Sequence, residues 1–192
     1  MASNSESKNA LISGGARGIG RCLARTFLTK GHRVYLFDID EEQLKHTTVH
    51  LKKYHGSSKL DSSLCNLRDI ADIRHKVSKA AEFNNRIDVL INNAYIETNL
   101  TAPFAMSQAC IPYMKASRGV ADAGHPELVG IRVNLIAPGR IGVAHESREG
   151  DKMGKDWQGM PEDIADAMYL MNAGFVTGQD IAVDGGVLKK KK

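Results

Sequence analysis

Ala10-Leu-Ile-Ser-Gly14-Gly15-Ala-Arg17-Gly18-Ile19-Gly20 carries a short apolar run into a cluster of glycines and out into an amphipathic stretch. Beyond Gly20 the apolar positions Leu23, Ala24, Phe27 and Leu28 form a helical stripe, and Gly31 supplies a C-terminal stop. The segment therefore reads strand, tight turn, helix. Gly14 can take backbone angles closed to other residues, Gly18 lets a ligand approach the main chain, and Gly20 lets helix and strand pack closely. The free N–H groups at the start of such a helix suit a pyrophosphate.

A strand-to-helix turn needs glycine even where nothing binds, so the following strand carries weight. Arg33-Val-Tyr-Leu-Phe-Asp38 is apolar and ends in a carboxylate eighteen residues after Gly20. That is where a Rossmann unit places the acid that holds the adenosine ribose. A phosphate-transfer loop would need Gly-Lys-Ser/Thr at its end, whereas Gly20 is followed by Arg21-Cys22.

Composition bounds the class. The chain has 192 residues, 42% hydrophobic and 25% charged, which fits one ordinary globular domain. No apolar run approaches the roughly 20 residues of a membrane helix, and Met1 to Lys8 is polar rather than a signal sequence. A cytoplasmic protein without a membrane partner is expected. Cys22, Cys65 and Cys110 show no C-x-x-C pairing, so neither a disulfide framework nor a zinc site is indicated. The net charge of +4 is matched by Lys189 to Lys192 alone, a solvated tail; the body is neutral, which argues against nucleic acid.

Further along, Asp40 caps a charged helix from Glu41 to Tyr54 anchored by Leu44, Val49 and Leu51. His46 and His50 sit four apart on it, a spacing that can chelate a metal, yet no third ligand stands nearby and no metal is expected. A short strand around Ser63-Leu64-Cys65 leads to Asn66, a helix from Asp69 to Phe83 shows Ile70, Ile73, Val77 and Ala80 on one face, and Ile87 to Asn92 is the next strand. Strands alternating with helices imply right-handed crossovers and a parallel sheet.

With Asn92-Asn93-Ala94 in hand, nearly the whole chain resembles the short-chain dehydrogenases/reductases. Gly14-x-x-x-Gly18-x-Gly20 resembles that family's glycine motif, Asp88-Val-Leu-Ile-Asn-Asn-Ala its fourth strand, and Asn99-Leu-Thr-Ala-Pro-Phe the helix with its catalytic asparagine. Gly130-Ile-Arg-Val-Asn-Leu-Ile-Ala-Pro138-Gly139 is similar to the strand and loop that close over the nicotinamide. Pro161-Glu-Asp-Ile-Ala, Phe175-Val-Thr-Gly-Gln and Val183-Asp-Gly-Gly resemble its last helix and strand. The resemblance implies a single α/β domain, a Rossmann-type doubly wound parallel sheet over 9–188, between a polar tail at 1–8 and the lysine tail at 189–192.

It also implies NAD(H)-dependent hydride transfer between nicotinamide and a small-molecule alcohol or carbonyl, with NAD(H) preferred over NADP(H) because of Asp38. Gly14, Arg17, Gly18, Ile19 and Gly20 would hold the pyrophosphate, and Asn66 and Leu67 the adenine side. Asn92, Asn93, Ala94, Pro138, Gly139 and Ile141 would flank ribose and nicotinamide, and Asn99 would fix a water in a proton relay. Arg17 is the counterweight, since a basic residue in the glycine loop can help NADP binding. The family is usually oligomeric, which leaves a homo-oligomer open.

The resemblance breaks at the chemistry. The family's acid/base tyrosine is followed four residues on by a lysine, but here the residues four beyond Tyr35, Tyr54, Tyr95, Tyr113 and Tyr169 are Ile39, Ser58, Asn99, Ser117 and Ala173. The catalytic serine is missing as well. The chain is internally shortened near 94/95, 115/116 and 158/159, with Asn172-Ala173 a fourth candidate break. Asn66 replaces the usual aspartate beside the adenine, and Val143 a threonine that meets the nicotinamide amide. A non-catalytic NAD-binding protein, or an inactive internally deleted isoform, is therefore the rival reading. Loss of the fifth strand would open a slot in a buried sheet or force its neighbours together, so these residues are expected to be the remainder of a longer, complete enzyme.

Overall fold

The computed structural model describes residues 7–84, 86–93, 101–115, 132, 134–142, 159–170 and 178–185. The chain forms two compact units, Met1–Ile131 and Arg132–Lys192.

In the first unit, strands β1 (Asn9–Ser13), β2 (Arg33–Asp38), β3 (Leu60–Leu64) and β4 (Val89–Ile91) make a parallel sheet in the order β3-β2-β1-β4. Helices α1 (Gly18–Thr29), α2 (Glu41–His55), α3 (Ile70–Asn84) and α4 (Thr101–Lys115) accompany them. β1 is buried along its whole length and registers Asn9 to Ser13 against Arg33 to Phe37. Alternate side chains of these central strands point to opposite faces. Leu11, Tyr35 and Phe37 join Ile73, Val77 and Met106 of α3 and α4 in one core. The other face is covered by α1 and α2, which pack against β1 and β2. Helices on both faces of a parallel sheet are the doubly wound α/β arrangement expected.

Local chemistry sets the boundaries. Asp40 accepts the Gln43 N–H at 3.1 Å and opens α2, whose first turn is acidic and last turn basic, in keeping with its dipole. Asp69 opens α3 by accepting the N–H groups of Ala71 and Asp72, so Asp69 is a cap rather than a helical residue. The third strand begins earlier than expected, at Leu60, and its Ser63 hydroxyl meets the Tyr35 hydroxyl at 2.7 Å in the interior. The fourth is shorter, Val89–Ile91; ahead of it the Asp88 N–H still donates to the Asn9 carbonyl (2.9 Å), while its carboxylate accepts the Asn9 N–H (2.8 Å) and the Arg86 guanidinium (3.0 Å).

Two expected anchors are not anchors. Val49 is 63% exposed, and Thr47 and Thr48 occupy the buried stripe with Leu44 and Leu51. Ile70 is 44% exposed at the first residue of α3, ahead of the buried Ile73 and Val77.

In the second unit β5 (Leu135–Pro138) pairs in parallel with β6 (Asp180–Val183), and α5 (Pro161–Leu170) buries Ile164 and Ala165. Asp163 accepts the Met160 N–H at 2.7 Å at the start of α5. Ala94, Tyr95, Asn99, Ser117, Val133, Val143, the junctions at 115/116 and 158/159, Asn172-Ala173 and both tails fall wholly or partly outside the described residues.

His32, 2% exposed, links this fold to pH. Burial pushes its pKa below the usual 6.5, aided by Lys8 and Lys30 and opposed by Asp88. The unfolded chain therefore takes up the proton first as pH falls, so the stability His32 contributes is present above about pH 6.5 and lost below it. The urea midpoint of wild type is expected to fall between pH 7.5 and 5.5 by more than that of His32→Gln; parallel curves would refute this.

Candidate functional site

The carboxyl ends of β1 to β4 share one edge of the first sheet, and the glycine loop crosses it. Gly14 (φ 64°) and Gly18 (φ 53°) occupy the left-handed region, where side chains are strained. A Cβ on Gly14 would come within 2.6 Å of the Asn93 carbonyl oxygen. On Gly20 it would strike the Gly14 carbonyl and lie 2.7 Å from Asn93 Nδ2, which is the close helix–strand packing expected of that glycine.

Neighbouring elements supply the loop's hydrogen bonds. Gly15 N–H donates to the Phe37 carbonyl at 3.0 Å, and Ala16 N–H to Asp38 Oδ2 at 2.9 Å. The Thr47 hydroxyl donates to the Ala16 carbonyl at 2.6 Å, and Asn93 Nδ2 to the Gly14 carbonyl at 3.1 Å. Ser13 Oγ accepts the Asn93 N–H at 3.0 Å and donates to the Ile91 carbonyl at 3.4 Å, tying the ends of β1 and β4 together. Thr47 and Ser13 were not singled out from sequence. The available signal was a threonine in phase with the buried stripe of α2.

Asp38 is held by three backbone donors. Its Oδ1 accepts from Ile39 (2.8 Å) and Asp40 (3.1 Å), and its Oδ2 from Ala16. A carboxylate has about four acceptor sites, so one direction on Oδ2 remains for a ligand hydroxyl. At the start of α1, Arg17 is the cap residue and gives no side-chain cap; the first turn holds no acidic residue. Gly18, Ile19 and Gly20 thus begin a helix whose positive end suits an anion. The Arg17 guanidinium lies 3.4 Å from Asp40 Oδ2.

Cys65 N–H donates to the Asp38 carbonyl at 2.9 Å, which brings Asn66 to the same edge. Asn66 Oδ1 accepts the Arg68 N–H at 3.1 Å, which uses one of the two lone pairs of its amide oxygen. Leu67 is half-buried against the core of the first unit. Asn92 is exposed at the end of β4. In the second unit Pro138 ends β5, a Cβ on Gly139 would sit 2.6 Å from Asp184 Cα, and Ile141 bridges Gly159.

Of the tyrosines described in the first unit, Tyr35, Tyr54 and Tyr113, none stands at the carboxyl edge. The Tyr35 hydroxyl is bonded inside the core and its pKa is raised by burial. Tyr54 is 66% exposed in the last turn of α2, and the Tyr113 carbonyl accepts from Ile87, at the opposite end of β4. Cys65 and Cys110 are buried, which pushes both thiols up to about 12 and makes them poor nucleophiles at neutral pH. Among the described residues no cluster of three or more His, Cys, Asp or Glu could hold a metal ion, and no helix is long and apolar enough to cross a membrane.

Removing the Asn93 side chain should leave the Gly14 carbonyl unsatisfied. Asn93→Ala is therefore expected to lower unfolding stability by about 1–3 kcal/mol, whereas Asn92→Ala should cost less than about 0.5 kcal/mol. Urea denaturation of both variants measures this, and equal losses would deny Asn93 its structural part.

A family model described as short chain dehydrogenase matches residues 8–123. The chain is 28% identical over 246 positions to the 3-oxoacyl-(acyl-carrier-protein) reductase FabG of Thermotoga maritima, covering 95% of this chain and 98% of that protein. It is 25% identical over 241 positions to a 3alpha-hydroxysteroid dehydrogenase of Mediterraneibacter gnavus, covering 94% and 96%. Both alignments are longer than the 192 residues here, so these relatives carry internal segments without a counterpart in this chain. The crystal structure of a hydroxysteroid dehydrogenase from Escherichia coli superposes with a TM-score of 0.80 at 24% identity, covering 94% of this chain and 97% of that one. An NADP active-site complex of Pseudomonas aeruginosa RhlG gives a TM-score of 0.79 at 25% identity, covering 93% and 95%.

Proposed function

Because this chain belongs to the short-chain dehydrogenase family, we propose that its glycine loop binds a nicotinamide dinucleotide, with NAD(H) preferred over NADP(H), for hydride transfer to or from a small alcohol or carbonyl. The observation that carries this is the Asp38 carboxylate, fixed at the end of β2 by Ala16, Ile39 and Asp40 with one acceptor direction to spare. That direction suits a ribose hydroxyl and repels a 2′-phosphate. A pair of unit charges about 4 Å apart interacts by ~1 kcal/mol in water and ~4 kcal/mol near a protein surface. RhlG, by contrast, was solved with NADP.

The bound nicotinamide would supply or accept the hydride. The chain's own part is to bind and orient. Gly18, Ile19 and Gly20 offer the positive end of α1 to the pyrophosphate, and Asp38 fixes the ribose. Asn66 and Leu67 are assigned to the adenine side. Asn92, Asn93 and Ala94, with Pro138, Gly139 and Ile141, are assigned to ribose and nicotinamide, and Asn99 to a water in the proton relay.

A second reading, a dinucleotide-binding protein without turnover, is favoured by one observation: no tyrosine here has a lysine four residues on. An ordinary tyrosine, with pKa near 10, is a poor base at neutral pH, and loss of a positioned acid/base typically costs about 10²–10⁴-fold.

Both readings predict binding. Titration of NADH and NADPH should give the tighter constant for NADH. In Asp38→Ala the absolute affinities should fall for both, because the loop loses its Ala16 acceptor, while the ratio moves toward NADPH. Tighter NADPH binding by wild type would remove the NAD assignment. Turnover separates the readings: protein with an intact mass of 21.0 kDa is expected to show no ordinary carbonyl reduction. Robust reduction by it would require another residue to serve as acid.

A further inference from the structure

Three charged side chains meet where the β1–α1 and β2–α2 turns touch. Asp38 Oδ1 accepts the Asp40 N–H at 3.1 Å, and Asp38 Oδ2 accepts the N–H of Ala16, the residue before Arg17. Asp40 uses both oxygens: Oδ1 caps α2 through the Gln43 N–H at 3.1 Å, and Oδ2 faces Arg17 Nη2 at 3.4 Å. Its side chain is 30% exposed and that of Arg17 57%. Capping already fixes the carboxylate, so pairing need order only the arginine.

An arginine beside the ribose-binding acid is the group that would otherwise receive a 2′-phosphate. Here the cation is already paired, and the corner as a whole carries two carboxylates against one guanidinium. Resting on the dinucleotide reading above, we infer that Asp40 selects the cofactor through Arg17: by holding the guanidinium it withholds a cation from the 2′-phosphate and disfavours NADP(H). Asp40 is thus a positioning residue, and the glycine-loop arginine does not by itself mark an NADP site.

Asp40→Asn is the informative variant, because asparagine caps a helix about as well as aspartate and removes only the charge. Equilibrium titration with NADH and NADPH at low ionic strength is expected to show the affinity ratio moving about fivefold toward NADPH, the scale of an exposed ion pair. An unchanged thermal midpoint would confirm that the cap is intact. Most of that movement should vanish when the same change is made in an Arg17→Gln background, and it should shrink at about 0.5 M salt. An unmoved ratio, or a movement of full size without Arg17, would overturn the inference. A wild-type preference for NADPH would refute the assignment of Asp38 while the Asp40–Arg17 cycle still reports on its own. Failure of every variant to bind either dinucleotide would sink the dinucleotide reading and this inference with it.

Discussion

A glycine loop has no hydrogen-bonded ladder of its own, so its shape depends on partners lent by the elements around it. Ala16 shows the dependence most directly: its N–H goes to Asp38 at the end of β2, and its carbonyl takes the Thr47 hydroxyl from α2. Gly14 is held from the other side by Asn93, beyond β4. An unsatisfied buried polar group costs about 1–3 kcal/mol, a large share of the roughly 5–15 kcal/mol that stabilises a domain. The loop therefore exists only when β1, β2, α2 and β4 are all in place. A binding site built this way reports the integrity of the sheet beneath it.

The same dependence explains what the sequence revealed. β1, α1 and β2 were legible because their burial follows simple periods and Gly14 and Gly20 have steric reasons that survive in any context. Helix α2 misled in its phase: Val49 is the more apolar residue, but Leu44, Thr47, Thr48 and Leu51 are spaced to face the sheet. Position overrode hydropathy because the Thr47 and Thr48 hydroxyls find partners, on Ala16 and Ser62, that a valine does not need. β3 begins early because Leu60 is fully buried and already in register with Val34 of β2.

Within the candidate site, residue types were readable and their second tasks were not. Asp38 was expected as a ribose acceptor; in the structure its carboxylate accepts the Ala16 N–H and so shapes the loop. Asn93 was expected beside the cofactor, yet its amide is turned to Gly14. Asp40 was expected only as a cap, because one-dimensional spacing shows nothing of a second oxygen pointing across to Arg17. Each is a short polar side chain with more than one hydrogen-bonding atom, and sequence patterns assign one task per residue.

Binding and chemistry also separate physically in this chain. The groups proposed for the adenosine half come from loops at the ends of adjacent strands, β1, β2 and β3, whose ladders pair directly. They need no distant segment to set their geometry. An acid/base group has a stricter requirement: a hydroxyl must reach the reacting oxygen with its pKa lowered by a neighbouring cation. Tyr35 fails on burial, Tyr54 and Tyr113 on position, and none of the chain's tyrosines has the lysine at the required spacing. Internal shortening of such a fold can therefore remove the reaction while the half-site proposed for adenosine keeps the hydrogen bonds that shape it.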